Sequence, residues 1–344
     1  MSAADRPDTA AVRIGLLGCG RIGRMHAELI AGRVPGLELT AAYDFMSEAA
    51  ESVVADFGGR AYDDPAGVVA ADDVDAIAIC SPTDVHIEQL EMAAAAGKPT
   101  FVEKPLSLDL GLTDRGIAAA RAAKIPVQVG FNRRFDASHR SVRDQVMAGD
   151  VGDVHLVRIT SRDPAPPPIG YLEGSGGLFL DMTIHDFDMA RFVTGSEVEE
   201  VFARGAVRVD PAIGEVGDID TAVVVMRHAN GAITTIDNSR QAVYGYDQRV
   251  EVFGSAGMVA SDNPTTTTTV RRSAEGSHGS TVPYFFIERY LQTYINEWAE
   301  FARVVRGEIE SPVTLGDGRA PLLLGLAAWK SLRENRPVLV DEIN

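Results

Sequence analysis

Along the first third of the chain, short apolar and often β-branched runs alternate with Ala-rich stretches whose apolar positions recur every three to four residues. Runs of the first kind suit strands buried on both faces of a parallel sheet, and stretches of the second kind suit the crossover helices between them. VRIGLLG, LELTAAYD, DAIAICSP, PTFVEKP and PVQVGF are the predicted strands. Thr83 can cap a helix that runs to Ala96 and stops at Gly97, and Leu108 to Ala123 forms another before Pro126. This order predicts an α/β, doubly wound parallel domain over residues 1–131.

The texture changes beyond that point. FDASHRSVRDQVMAG reads as a helix, and GDVHLVRITSRD as a long alternating strand that runs into a stiff PAPPP loop. Alternation returns at Val198–Val209, Thr221–His228, Ala232–Ser239 and Gln248–Phe253, with Asn230-Gly231 at a hairpin turn. These predict a mostly antiparallel sheet in a second domain, 132–344. Thr265–Thr269 reads as an exposed strand or loop, and helices are expected near Tyr284–Val305 and Ala320–Arg333.

Composition narrows the function. A chain of 344 residues, 45% apolar, can bury a substantial core in about two domains. With 49 acidic against 32 basic residues, its net charge of -17 disfavours a nucleic-acid partner or an anionic membrane surface. The opening MSAADRPDTA has no cationic leader and Val12–Leu17 is too short for a signal core, so a cytoplasmic protein is expected. Only Cys19 and Cys80 are present, without a CxxC pair, which argues against a disulfide framework or a thiolate zinc site.

Directly after the first strand, Gly18-Cys19-Gly20-Arg21-Ile22-Gly23 opens a helix. Glycines there permit a tight turn, and the helix N-terminus offers unpaired N–H groups to a pyrophosphate. Asp44 ends the second strand, where a carboxylate can accept both ribose hydroxyls and repel a 2'-phosphate, so NAD is favoured over NADP. Ser81, Thr83 and His86 follow DAIAICSP at the carboxyl edge and are candidates for the ribose or nicotinamide, with Thr83 equally suited to be a plain cap.

Lysine occurs only at 98, 104, 124 and 330, so Lys104, at the end of PTFVEKP and next to Pro105, stands out. In GGLFLDMTIHDFDMARF, Asp181, His185 and Asp188 fall at i, i+4 and i+7 of one helical stripe amid apolar neighbours. A self-satisfying hydrogen-bonded pair, a metal site and an acid/base pair facing substrate all fit this spacing. The metal reading lacks a third ligand at helical spacing, and the other histidines are scattered, so no metal is expected.

GCGRIGRMHA, the EKPLSL turn and the Asp four residues before His together resemble the NAD(P)-dependent oxidoreductases of the glucose-fructose oxidoreductase, inositol dehydrogenase and rhizopine-catabolism family over nearly the whole chain. VGFNRRFD, SRDPAPPP, DNSRQAVYGYDQRVEVFGSAGM and FFIERYLQTYINEWAEF look most like its inositol 2-dehydrogenases. The resemblance implies a Rossmann domain followed by an α/β domain whose large open sheet forms the subunit interface, commonly in a homotetramer. It makes Lys104, Asp181 and His185 the catalytic trio, adds Glu103 and Lys104 to the cofactor-binding residues, and implies that Arg134, Asp163, Tyr244 and Tyr246 lie near a polyol or sugar. The expected activity is oxidation of myo-inositol to 2-keto-myo-inositol, with scyllo-inositol or an aldose as the neighbouring reading. A non-catalytic dinucleotide sensor is the reading from another class, and it would need none of the trio.

Overall fold

A computed structural model describes residues 10–343; residues 1–9, on which the leader expectation rests, and Asn344 lie outside the described residues. The chain forms two compact units, one made of residues up to Asn132 with Gln292–Ala320, the other of Arg133–Leu291 with residues from Pro321 onward. The sequence reading assigned all of 132–344 to the second domain, whereas 292–320 cluster with the first.

The first unit contains β1 (Val12–Leu17), α1 (Arg21–Gly32), β2 (Leu37–Tyr43), α2 (Ser47–Phe57), β3 (Arg60–Ala61), α3 (Pro65–Ala70), β4 (Ala76–Ile79), α4 (His86–Ala95), β5 (Thr100–Glu103), α5 (Leu110–Ala123) and β6 (Val127–Gly130). The strands form one parallel sheet in the order β3-β2-β1-β4-β5-β6. The order reverses direction at β1/β4, which is where such sheets bind ligands at their carboxyl ends. The central strands are mostly apolar, as suits strands with helices on both faces: every residue of β4 is buried, as are Ile14, Leu16 and Leu17 of β1. The edge strand β3 escaped the sequence reading because two residues carry no periodicity.

In the second unit, α6 (Ala137–Ala148), β7 (Val154–Arg162), α7 (Ile169–Ser175), α8 (Gly177–Asp181), α9 (Ile184–Thr194), β8 (Val198–Ala206), α10 (Pro211–Glu215), β9 (Thr221–His228), β10 (Ile233–Ser239), β11 (Asp247–Gly254) and β12 (Gly257–Ser261) precede a small hairpin, β13 (Val270–Ser273) and β14 (Gly276–Gly279). The chain closes with α11 (Phe286–Val305), α12 (Leu315–Glu334) and β15 (Val338–Leu339). A seven-stranded sheet runs β12-β11-β7-β10-β9-β8-β15, antiparallel except for the β7/β10 pair.

Strict alternation along these strands sends one set of side chains inward. Val157, Ile159, Val224, Met226, Ile236, Val250 and Val252 form one core with Val142 and Val146 of α6 and Phe187, Met189 and Val193 of α9. The outward set includes an in-register row across four neighbouring strands, Ile233, Leu156, Phe253 and Met258, each exposed. Thr265–Thr269 is an exposed loop leading into β13.

Two helices differ from expectation for identifiable reasons. Helix α12 starts at Leu315 rather than Ala320, because Pro321 suggests a first turn while the actual start is a reciprocal cap. Asp317 N–H donates to Thr314 Oγ1 at 3.3 Å, and Thr314 N–H donates to Asp317 Oδ2 at 2.9 Å. The helix expected across 176–192 is split between α8 and α9: Thr183 N–H reaches back five residues to the Leu178 carbonyl at 2.9 Å. The helical stretch is thus broken between Asp181, the last residue of α8, and Ile184, the first of α9, so Asp181 and His185 do not share one continuous helix. No helix among the described residues is long and apolar enough to cross a membrane.

Candidate active site

In the first unit, the glycine turn is shaped by close backbone approach. Gly18 sits at φ +93, and a Cβ on it would lie 2.4 Å from Ser81 N. A Cβ on Gly23 would lie 1.9 Å from the Gly18 carbonyl oxygen, so neither position admits a side chain. Gly20 differs, since a Cβ there would meet nothing within 4 Å. Gly20 is also the N-cap of α1 and supplies no side-chain cap, which leaves the first N–H groups of the helix to an incoming anion. Cys19 is buried, and burial with the neighbouring Asp44 charge pushes its thiol up to about 12, so it stays a neutral packing residue.

Asp44 is fixed by two backbone donors, Cys19 N–H at 2.6 Å and Met46 N–H at 2.9 Å. Beside it, Phe45 and Met46 are large apolar side chains left exposed, a feature overlooked because single exposed apolar residues carry no periodic signal. Ser81 Oγ donates to Gln89 Oε1 at 2.7 Å. Thr83 caps neither the short turn it opens nor α4, whose N-cap is Val85. His86 is buried, its ring nitrogens 2.9 Å from the Pro105 carbonyl and 2.8 Å from the Ser81 carbonyl. It therefore ties two loops together. Glu103 ends β5 and Lys104 follows it, both partly buried, with a cis Lys104–Pro105 bond next.

In the second unit, Asp181 and His185 are each partly exposed, while Met182, Thr183, Ile184, Asp186 and Phe187 around them are buried. The carboxylate of Asp181 accepts from Tyr171 Oη at 2.9 Å and from Arg240 at 3.2 Å. Arg240 is 1% exposed and also lies 3.7 Å from Asp218. Sequence reading missed Tyr171 and Arg240; Tyr171 lies on a helix hidden behind the proline-rich stretch, and Arg240 lies 59 residues from its partner.

Asp163 follows β7 within the field of Arg240 and Asp181, and burial pushes its carboxyl up to about 6 against the opposing pull of Arg240. Beneath His185, Asp186 binds Arg133 at 2.7 Å and Asn238 at 2.8 Å. The other implied substrate residues each have partners within the protein. Arg134 is buried and makes two hydrogen bonds to Asp188, at 2.8 and 2.6 Å, so the third residue of the expected polar stripe faces an ion pair. Tyr246 is buried with its hydroxyl 3.3 Å from Arg133, and Tyr244 donates to Asp247 at 2.6 Å while half exposed.

Residues 12–131 match the oxidoreductase family with an NAD-binding Rossmann fold, and 139–260 match the GFO/IDH/MocA C-terminal domain. The myo-inositol 2-dehydrogenase of Thermotoga maritima is 48% identical over 333 residues, 96% of this chain and 99% of that protein. The chain belongs to the GFO/IDH/MocA oxidoreductase family. Among solved structures, a putative myo-inositol dehydrogenase from Sinorhizobium meliloti superposes with a TM-score of 0.92 at 42% identity, covering 96% of this chain and 100% of that one. The scyllo-inositol dehydrogenase of Lactobacillus casei, solved with NAD(H) and scyllo-inositol, gives 0.90 at 30% identity, covering 96% and 99%. Membership in the GFO/IDH/MocA family makes this chain an NAD-dependent dehydrogenase. Its own residues fit the cofactor: the open space at Gly20, the uncapped start of α1 and the fixed Asp44 carboxylate are the features a dinucleotide needs.

Proposed function

We propose that this GFO/IDH/MocA enzyme oxidises one ring carbinol of a cyclic polyol, myo-inositol to 2-keto-myo-inositol, with His185 as general base. The observation that carries the reading is the accessible Asp181/His185 pair, set in otherwise buried surroundings, in a chain 48% identical to a myo-inositol 2-dehydrogenase.

Bound NAD supplies the hydride acceptor. His185 takes the hydroxyl proton as the carbinol hydrogen leaves, and Lys104 stabilises negative charge developing on that oxygen. Asp181, pinned by Tyr171 and Arg240, favours the imidazolium that forms on His185. Asp163, as a carboxylate, accepts a neighbouring ring hydroxyl. Arg134 and Tyr246 act behind this layer, holding Asp188 and Arg133, and Tyr244 orders the loop through Asp247.

Oxidation of scyllo-inositol is the second reading, favoured by the likeness to the Lactobacillus casei structure. A screen for NADH or NADPH formation over inositol isomers and common aldoses, with each cofactor, tests the proposal. The result expected is fastest NADH formation with myo-inositol; an aldose turned over far faster would overturn the polyol reading, and faster use of NADP would remove Asp44 from its ribose role.

The exposed apolar row on the open sheet supports a homo-oligomer, a tetramer by the family's habit, in which a second copy covers Ile233, Leu156, Phe253 and Met258. A cytoplasmic location is part of the same proposal, in keeping with the free thiols of Cys19 and Cys80.

A further inference from the structure

Glu103 stands immediately before Lys104, and both of its carboxylate oxygens are engaged. Oε1 lies 2.8 Å from His26 Nε2, and Oε2 accepts the backbone N–H of Lys104 at 3.1 Å. The other ring nitrogen of His26, Nδ1, lies 2.8 Å from the indole nitrogen of Trp298. An indole N–H can only donate, so Nδ1 is the acceptor, and the imidazole proton sits on Nε2 and points at Glu103. The direction of the whole line is thus set by Trp298: indole to imidazole, imidazole to carboxylate, and carboxylate to the lysine backbone.

Nothing in this line has room to turn. His26 and Trp298 are both 0% exposed. His26 packs edge-on against Phe101 at 5.3 Å and Tyr294 at 5.6 Å, and Trp298 lies 4.7 Å from Phe101. Beside Trp298, Glu297 is fully buried, and burial together with the Glu103 charge pushes its carboxyl well above the ordinary range. On the far side of Lys104, His86 holds the Pro105 carbonyl. A helix from the far end of the chain thereby reaches the turn that carries the lysine through hydrogen bonds as well as packing.

We propose that Trp298, His26 and Glu103 are positioning residues for Lys104, fixing the lysine backbone so that its ammonium meets the substrate oxygen. This inference rests on Lys104 acting in the reaction, and it gives Glu103 a role other than cofactor contact. A displacement of about 1 Å at a reacting group can cost about 100-fold in rate, so losing the line lowers kcat while leaving ground-state binding intact.

The test uses the full-length enzyme with His26→Leu, His26→Gln, Glu103→Gln, Trp298→Phe, the His26→Leu/Glu103→Gln pair, and Lys104→Met. Polyol kcat and KM are read beside NADH affinity by fluorescence titration. His26→Leu and Glu103→Gln should each lower kcat roughly 10- to 100-fold with KM and NADH affinity within about threefold. The double variant should be no worse than the poorer single one, because both cut the same line. His26→Gln, which can still donate to Glu103, should recover most of the loss, and Trp298→Phe, which keeps the ring but removes the N–H, should lower kcat several-fold even if His26→Leu fails to fold. Trp298→Phe with parental kcat, additive losses in the double variant, or a loss explained by weaker NADH binding would overturn the inference. Lys104→Met separates the two layers: parental turnover in that variant sinks the catalytic reading of Lys104 itself, whereas an inactive Lys104→Met beside parental Trp298→Phe and His26 variants sinks only the positioning role.

Discussion

Asp163 offers a prediction in which stability and site chemistry share one titration. Its carboxyl rises from an ordinary value of 3.8 to about 6, chiefly because burial penalises the charged form. The folded protein then holds a proton that the unfolded chain has released between those two values, so stability falls as pH rises through this window and is level above it. A shift of about two units corresponds to about 3 kcal/mol. Asp163→Asn, which imitates the neutral acid, should match the parent near pH 4. It should exceed the parent by an amount approaching 3 kcal/mol above about pH 6.5, with the difference opening as the pH rises. Urea unfolding at closely spaced pH values, read at constant m, measures this directly. The same variant should raise the polyol KM at neutral pH, where the proposed function has the parent offer a carboxylate to a ring hydroxyl. Parallel stability curves from pH 4 to 7 would refute the assigned burial cost, and an unchanged KM would remove Asp163 from the substrate.

His185→Ala should still bind NADH but lose about 100- to 10,000-fold in turnover, the usual contribution of a positioned acid/base group; near-parental turnover would refute the assignment. Gly23→Ala places a methyl 1.9 Å from the Gly18 carbonyl oxygen, so the turn must open and NADH affinity, read by fluorescence titration, should fall more than about tenfold; unchanged affinity would contradict the cradle. Arg134→Met leaves Asp188 buried without its bidentate partner, and denaturant unfolding should register a loss of about 3–5 kcal/mol that Arg134→Met/Asp188→Leu largely restores. A loss below about 1 kcal/mol would contradict a structural role for the Arg134–Asp188 pair.

What the sequence made legible follows from which forces act locally. The parallel strands and the glycine turn were readable because burial on both faces and a forbidden Cβ leave marks within a few residues, as at Ala76–Ile79 and Gly18–Gly23. The seven-stranded sheet was readable from alternation, although the parallel pairing of β7 with β10 was not, since register lies in no single strand. Asp181 and His185 stood out as polar residues in apolar company; the break between α8 and α9 did not, and one partner at that break, Asn238, which receives the Thr183 hydroxyl, lies 55 residues away. The same distance problem hid Arg240 behind Asp181 and Trp298 behind His26. It also hid the partner of Arg134, whose guanidinium binds Asp188, 54 residues on.

The central claim is that this enzyme removes the hydrogen from C2 of myo-inositol and delivers it to NAD. Turnover of myo-inositol deuterated at C2, with the reduced dinucleotide analysed by mass spectrometry, tests it most directly. One deuterium per reduced dinucleotide is the predicted result, with formation slowed relative to unlabelled substrate if hydride transfer limits the rate. Reduced dinucleotide lacking the label, or none formed from myo-inositol at all, would contradict the account.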